Sequence, residues 1–100
     1  MSELREYCQH VSEELDRAYE RGELMEYFDD VLDIKFIVTP PRQLYGVELA
    51  VTLGGPNVYV DTRERAVLGY WGGEQERYPL HDDVCYEIEQ QFAMLYDYDY

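Results

Sequence analysis

The hydrophobic period of this chain changes twice, and each change fixes the kind of element that can form. Over the first 28 residues Leu4, Cys8, Val11, Leu15, Ala18, Gly22 and Met25 recur at steps of four and three, which lines them along one side of a helix. From Ile34 the step falls to two. Ile34, Phe36 and Val38 alternate, Pro40-Pro41 interrupts, and "YGVELAVTL" then sets Tyr45, Val47, Leu49, Val51 and Leu53 on one face against Glu48 and Thr52 on the other. "NVYVDT" and "RAVLGYW" read as short strands. "ERYPL" reads as a fifth, confined by Pro79 to an edge or a strand end. At Asp82 the helical step returns with Val84, Cys85, Ile88, Phe92 and Leu95.

This pattern predicts one α+β domain over 1–100: an N-terminal helix (1–28), an antiparallel meander of four to five strands (34–80) and a C-terminal helix (82–96), with both helices packed on one face of the sheet. The tail "YDYDY" has no apolar period, so 97–100 are expected to fray. Ser2 and Asp82 are placed to cap the two helices. Gly22, on the apolar stripe, either admits a close neighbour or breaks the helix; the spacing favours one helix to about Phe28 with a kink.

Two glycine pairs, Gly54-Gly55 and Gly72-Gly73, raise the question of a phosphate cradle. Such a loop joins a strand to a helix, whose N-terminal N–H groups face the anion. "GGPN" leads instead into another strand and lacks a P-loop lysine, while "GGEQ" brings a glutamate that would repel phosphate. The glycines read as hairpin turns, where positive φ is needed.

Little else in the sequence points to catalysis. Cys8 and Cys85 fall on apolar helix faces and read as small core residues, and two cysteines do not make a disulfide scaffold. His10 and His81 have no spacing that joins them to a cysteine or to each other as zinc ligands. Asp29, Asp30 and Asp33 in "DDVLD" lack the alternating ligands and central glycine of a calcium loop, and read as a solvated helix end. The expectation is a protein that is not an enzyme, with no cofactor and no metal. No apolar run approaches the roughly 20 residues of a membrane span, and the acidic N-terminus is no signal peptide, so a cytoplasmic location is expected.

Charge is the unusual property. The chain has 8 Lys and Arg against 22 Asp and Glu, a net charge of −14. Residues 1–33 hold 11 acids and 3 bases, residues 34–80 hold 5 of each, and residues 81–100 hold 6 acids and no base. The excess therefore belongs to the two helices. Like charges repel within each, and ordinary surfaces mix signs, so the field itself is expected to be used. It would repel nucleic acid and anionic membranes and attract basic protein surfaces. The candidate partner-binding residues are Glu13, Glu14, Asp16, Glu20, Glu23, Asp82, Asp83, Glu87 and Glu89, with Tyr86 and Trp71 as aromatic anchors. An alternative is an adaptor that binds protein through an uncovered sheet face bearing Tyr45, Tyr59, Tyr70 and Trp71, or through an edge strand.

The segments "FDDVLDIKF", "YGVELAVTLGGPNVYVDT", "VLGYWGGEQERYPL" and "DDVCYEIEQQFAMLY", spanning roughly 28–96, resemble a group of short acidic proteins from phages, plasmids and integrative elements of gut bacteria, with "GGPNVYVDT" the most specific part. The resemblance extends to inhibitors of the anti-CRISPR and antirestriction type. It implies a bacterial host cell and a basic nucleic-acid-binding partner from a defence system, a Cas effector or a restriction enzyme, bound by a monomer or dimer of this chain. It implies no catalytic residues.

Overall fold

The computed structural model describes residues 3–29, 31–40 and 43–99, with side chains through Met94 apart from that of Gln43. The elements are α1 (Glu3–Arg21), α2 (Leu24–Tyr27), β1 (Asp33–Thr39), β2 (Gln43–Thr52), β3 (Asn57–Asp61), β4 (Ala66–Trp71), β5 (Glu74–Pro79) and α3 (Asp82–Asp99). The five strands pair antiparallel in chain order, with β1 and β5 at the edges. Both helices lie on one face, α1 over β4 and β5 and α3 over β2. This is the expected α+β meander.

Period-two alternation sets which side chains meet the helices. Leu49, Val60 and Val67 stand opposite one another across three strands and are fully buried, as are Val47 and Val58. They pack against Cys8, Val11 and Leu15 of α1 and Val84, Cys85, Ile88 and Phe92 of α3, forming one core. Burying each aliphatic side chain contributes about 1.5–3 kcal/mol. Gly69 permits the close approach of α1 to β4: a Cβ there would lie 2.7 Å from Cys8 Sγ and 2.9 Å from Leu4 Cδ1. Arg5 Nη1 donates to the Arg77 carbonyl at 3.3 Å and Ser12 Oγ to the Pro79 carbonyl at 2.9 Å, so α1 also covers the outer edge of β5.

The ends of β2 depart from the expected alternation. Val47 and Leu49 are buried, but Tyr45 and Leu53 are exposed. The register shifts at Ile37/Val38, which leaves Tyr45 as the extra residue of β2, and again between Ala50 and Thr52, just before Leu53, so neither end of β2 keeps the alternation of its middle. Tyr45 is left with the Arg63 guanidinium 4.9 Å from its ring centre.

The expected helix over 1–28 ends early. Gly22 adopts φ 70°, its N–H donates to the Tyr19 carbonyl at 3.1 Å, and the Glu23 N–H donates to the Ala18 carbonyl at 2.8 Å. These two bonds form a Schellman ending, with glycine in the left-handed position. The chain restarts as α2, whose buried Leu24 and following Phe28 join the core, Phe28 meeting Phe92 edge-on at 5.9 Å. At its other end the domain gains helix: α3 runs to Asp99, past the expected stop at 96. The α3 cap also shifts. The His81 carbonyl accepts the Cys85 N–H at 3.0 Å, making Asp82 the first helical residue rather than the cap. The proposed Ser2 cap lies outside the described residues, as does Asp30.

The glycine pairs turn strands. Gly54, Gly72 and Gly73 have φ of 95°, 57° and 89°, in the connections β2–β3 and β4–β5, and Asn57 Oδ1 accepts the Gly54 N–H at 3.1 Å. No helix follows either pair.

Candidate functional site

A groove runs between α1 and the start of α3, and the chain builds it from two sequence-distant sources. On α1, Glu13, Asp16 and Glu20 follow one another at steps of three and four beside the buried stripe, which places them at its rim. On α3, Asp83, Glu87 and Gln91 do the same at steps of four. Three contiguous hollows make up the groove. The first is lined by Glu13, Asp16, His81, Asp82 and Asp83 over a floor of Ser12, Pro79 and Leu80. The next shares Asp16, His81 and Asp83 and adds Glu20 and Tyr19. The last shares Tyr19 and Glu20 and adds Glu26, Glu87 and Gln91. The end hollows hold about 570 and 620 Å³, open to solvent, with room for several long basic side chains.

The electrostatics of this groove are one-sided. Among the described residues seven carboxylates line it, those of Glu13, Asp16, Glu20, Glu26, Asp82, Asp83 and Glu87, and no Lys or Arg does. Asp82 is partly neutralised from outside, since Arg65 Nη1 lies 3.3 Å from its Oδ1. That contact is built by the β3–β4 turn, where Arg65 takes a left-handed φ of 54° and its carbonyl accepts the Leu80 N–H at 3.0 Å. Gln9 Nε2 donates to Glu13 Oε2 at 3.2 Å, and Gln91 Nε2 to Glu87 Oε2 at 2.7 Å, so neutral amides hold these carboxylates and leave their charge intact.

The structure divides the sequence candidates. Glu13, Asp16, Glu20, Asp82, Asp83 and Glu87 come together in the groove. Glu14, on the other flank of α1, and Glu23, between α1 and α2, border a hollow with Arg17 and Arg21, where the signs are mixed and which Glu26 also borders. Glu14 is further engaged by His10 Nε2 at 3.3 Å and by the Tyr27 hydroxyl at 3.5 Å. Glu89 falls on the flank of α3 away from Asp83, Glu87 and Gln91 and does not line the groove. Tyr86 is exposed beside the groove wall. Trp71 is exposed at the far end of β4, roughly 17 Å of strand away from Ala66, where β4 begins near α3. Glu26 and His81 line the groove but are not among the candidate partner-binding residues of the sequence. Glu26 could be placed only once the break at Gly22 was known, because α2 carries it.

The uncovered face of the sheet is less charged. Tyr59 and Tyr70 share it, their rings edge-on at 6.0 Å, while Trp71, one residue on, alternates to the helix-covered side. Both thiols are buried, and burial raises the pKa of each, that of Cys85 to about 12. Among the described residues, no group of three or more His, Cys, Asp or Glu is arranged to hold a metal ion, and no helix is long and apolar enough to cross a membrane.

No family model, curated protein or solved structure matches the chain.

Proposed function

We propose that this protein is a non-enzymatic inhibitor that binds a basic, nucleic-acid-handling protein of a bacterial defence system, presenting the carboxylates of the α1–α3 groove where that protein takes phosphates. The observation that supports it is the groove lined, among the described residues, by seven carboxylates and by no Lys or Arg. A DNA- or RNA-binding surface already holds Lys and Arg arranged for anions, so carboxylates there gain charge-assisted hydrogen bonds. A field this strong steers the encounter and weakens as salt screens it. The target class, a Cas effector before a restriction enzyme, follows from the sequence resemblance to acidic mobile-element proteins.

The test is inhibition of DNA binding by purified Cas effectors and restriction endonucleases, at low and high salt. The wild-type chain is expected to compete with DNA in at least one of these systems, less effectively as salt rises. The variant Glu13→Lys, Asp16→Lys, Glu20→Lys, Asp83→Lys, with an unchanged circular dichroism spectrum, is expected to lose that competition. A folded variant that inhibits as well as wild type would falsify mimicry by the groove.

A further inference from the structure

The two edges of the sheet are finished differently. On β5, the Arg77 and Pro79 carbonyls are taken by Arg5 and Ser12 of α1, Pro79 has no N–H to offer, and Glu74, Glu76 and Arg77 add charge. These are the devices that close an edge. β1 is treated otherwise. Val47 exchanges bonds with Thr62 on the β3 side: its N–H donates to Thr62 Oγ1 at 2.9 Å and its carbonyl accepts the Thr62 N–H at 3.0 Å. The residues of β2 that face β1 are therefore Gly46, Glu48 and Ala50, and their partners are Ile37, Lys35 and Asp33. By alternation the backbone groups of Ile34 and Val38 point outward, away from the sheet. The side chains of these two residues and of Leu32 are exposed as well.

We propose that β1 pairs antiparallel with β1 of a second copy of this chain, about a two-fold axis at position 36, joining the two sheets into one. In this register Ile34 of one copy faces Val38 of the other, twice over. Each exposed aliphatic side chain is covered by its counterpart, and the outward N–H and carbonyl of one residue meet those of the other. The charge distribution selects a second copy as the occupant. Two molecules of charge −14 repel unless they meet on neutral surface, and β1 carries only Asp33 and Lys35. In the proposed register Asp33 faces Thr39, and each Lys35 already has Glu48 opposite it on β2. The acids of α1 lie over β4 and β5, across the sheet from this edge.

One contact competes with the pairing. Asp33 Oδ1 now accepts the Ile34 N–H at 3.0 Å, and the second copy would replace it with the Val38 carbonyl. Removing that carboxylate therefore strengthens association, a direction that damage to the fold does not mimic.

Sedimentation velocity of the full chain across the micromolar range tests the pairing. Wild type is expected to show a concentration-dependent dimer. Val38→Lys is expected to weaken it by about tenfold or more, and Asp33→Ala to tighten it, both with unchanged circular dichroism. Added salt is expected to strengthen the dimer by screening repulsion between copies, opposite to its effect on partner capture by the groove, so the two readings fail separately. A monomer at every concentration, or a dimer unmoved by both substitutions, overturns the proposal.

Discussion

Glu48 and Asp61 stand opposite each other on β2 and β3, two acids where a cross-strand pair would ordinarily carry opposite signs. Asp61 is buried, and its Oδ1 accepts the Glu64 N–H at 3.0 Å, which organises the β3–β4 turn. Burial first, and then the Asp61 carboxylate, raise the pKa of Glu48 above its ordinary value of 4.5, with Lys35 opposing the shift. The folded protein thus holds this proton more tightly than the unfolded chain does. Stability from this group is complete below pH 4.5 and is lost as pH rises through the elevated folded value. Glu48→Gln, which keeps the shape and removes the charge, is expected to melt higher than wild type at pH 7, with the advantage gone at pH values below the unfolded pKa. Thermal unfolding of both proteins at the two pH values checks this.

Gly22 decides how the first elements are arranged. Nothing lies within 4 Å of a Cβ placed there, so a substitution meets no clash and its cost is the left-handed backbone alone. Gly22→Ala is expected to lose about 1 kcal/mol of stability in urea unfolding, and Gly22→Asn less. Gly69→Ala meets the opposite situation, a crowded site in an ordinary conformation. The existence and type of the long elements were legible because Leu4 to Leu15 and Val84 to Phe92 keep helical steps, while Val47 and Leu49, and then Val58 and Val60, keep alternation within their strands. The break at Gly22 was not, because glycine occupies a position on the apolar stripe and the period runs straight through it. Nor were the β2 irregularities that expose Tyr45 and Leu53, since they depend on pairing with β1 and β3 rather than on the strand itself. The same holds for the groove. Acids at steps of three and four were visible on each helix, but their convergence, and the inclusion of Glu26, required knowing that α1 stops and α3 lies beside it. Glu14 and Glu23 are set apart because they border a hollow with Arg17 and Arg21, and Glu26 stands between that hollow and the groove.

Across the whole molecule the acids greatly outnumber their partners. Among the described residues the ion pairs Arg65–Asp82 and Arg77–Glu64 are substantially exposed, and with every Lys and Arg already counted the net charge is still −14. Self-repulsion should therefore limit stability. Raising sodium chloride from low to ~0.15 M, where the screening length is about 8 Å, is expected to stabilise the fold by on the order of 1 kcal/mol. Urea titration at each salt concentration measures this without adding ions of its own.

The covering of β5 by α1 has a kinetic consequence. Ser12 and Pro79 are 67 residues apart, and Arg5 and Arg77 are 72 apart, so α1 is seated on a strand that is made long after it. At about 5–20 residues per second, a ribosome needs roughly 3–13 s to bridge the shorter of these gaps. Throughout that interval the nascent α1 has its apolar stripe and no sheet edge to lie on. Docking of α1 on this edge has to wait until β5 has left the ribosome, so the apolar stripe stays open for the whole of that interval.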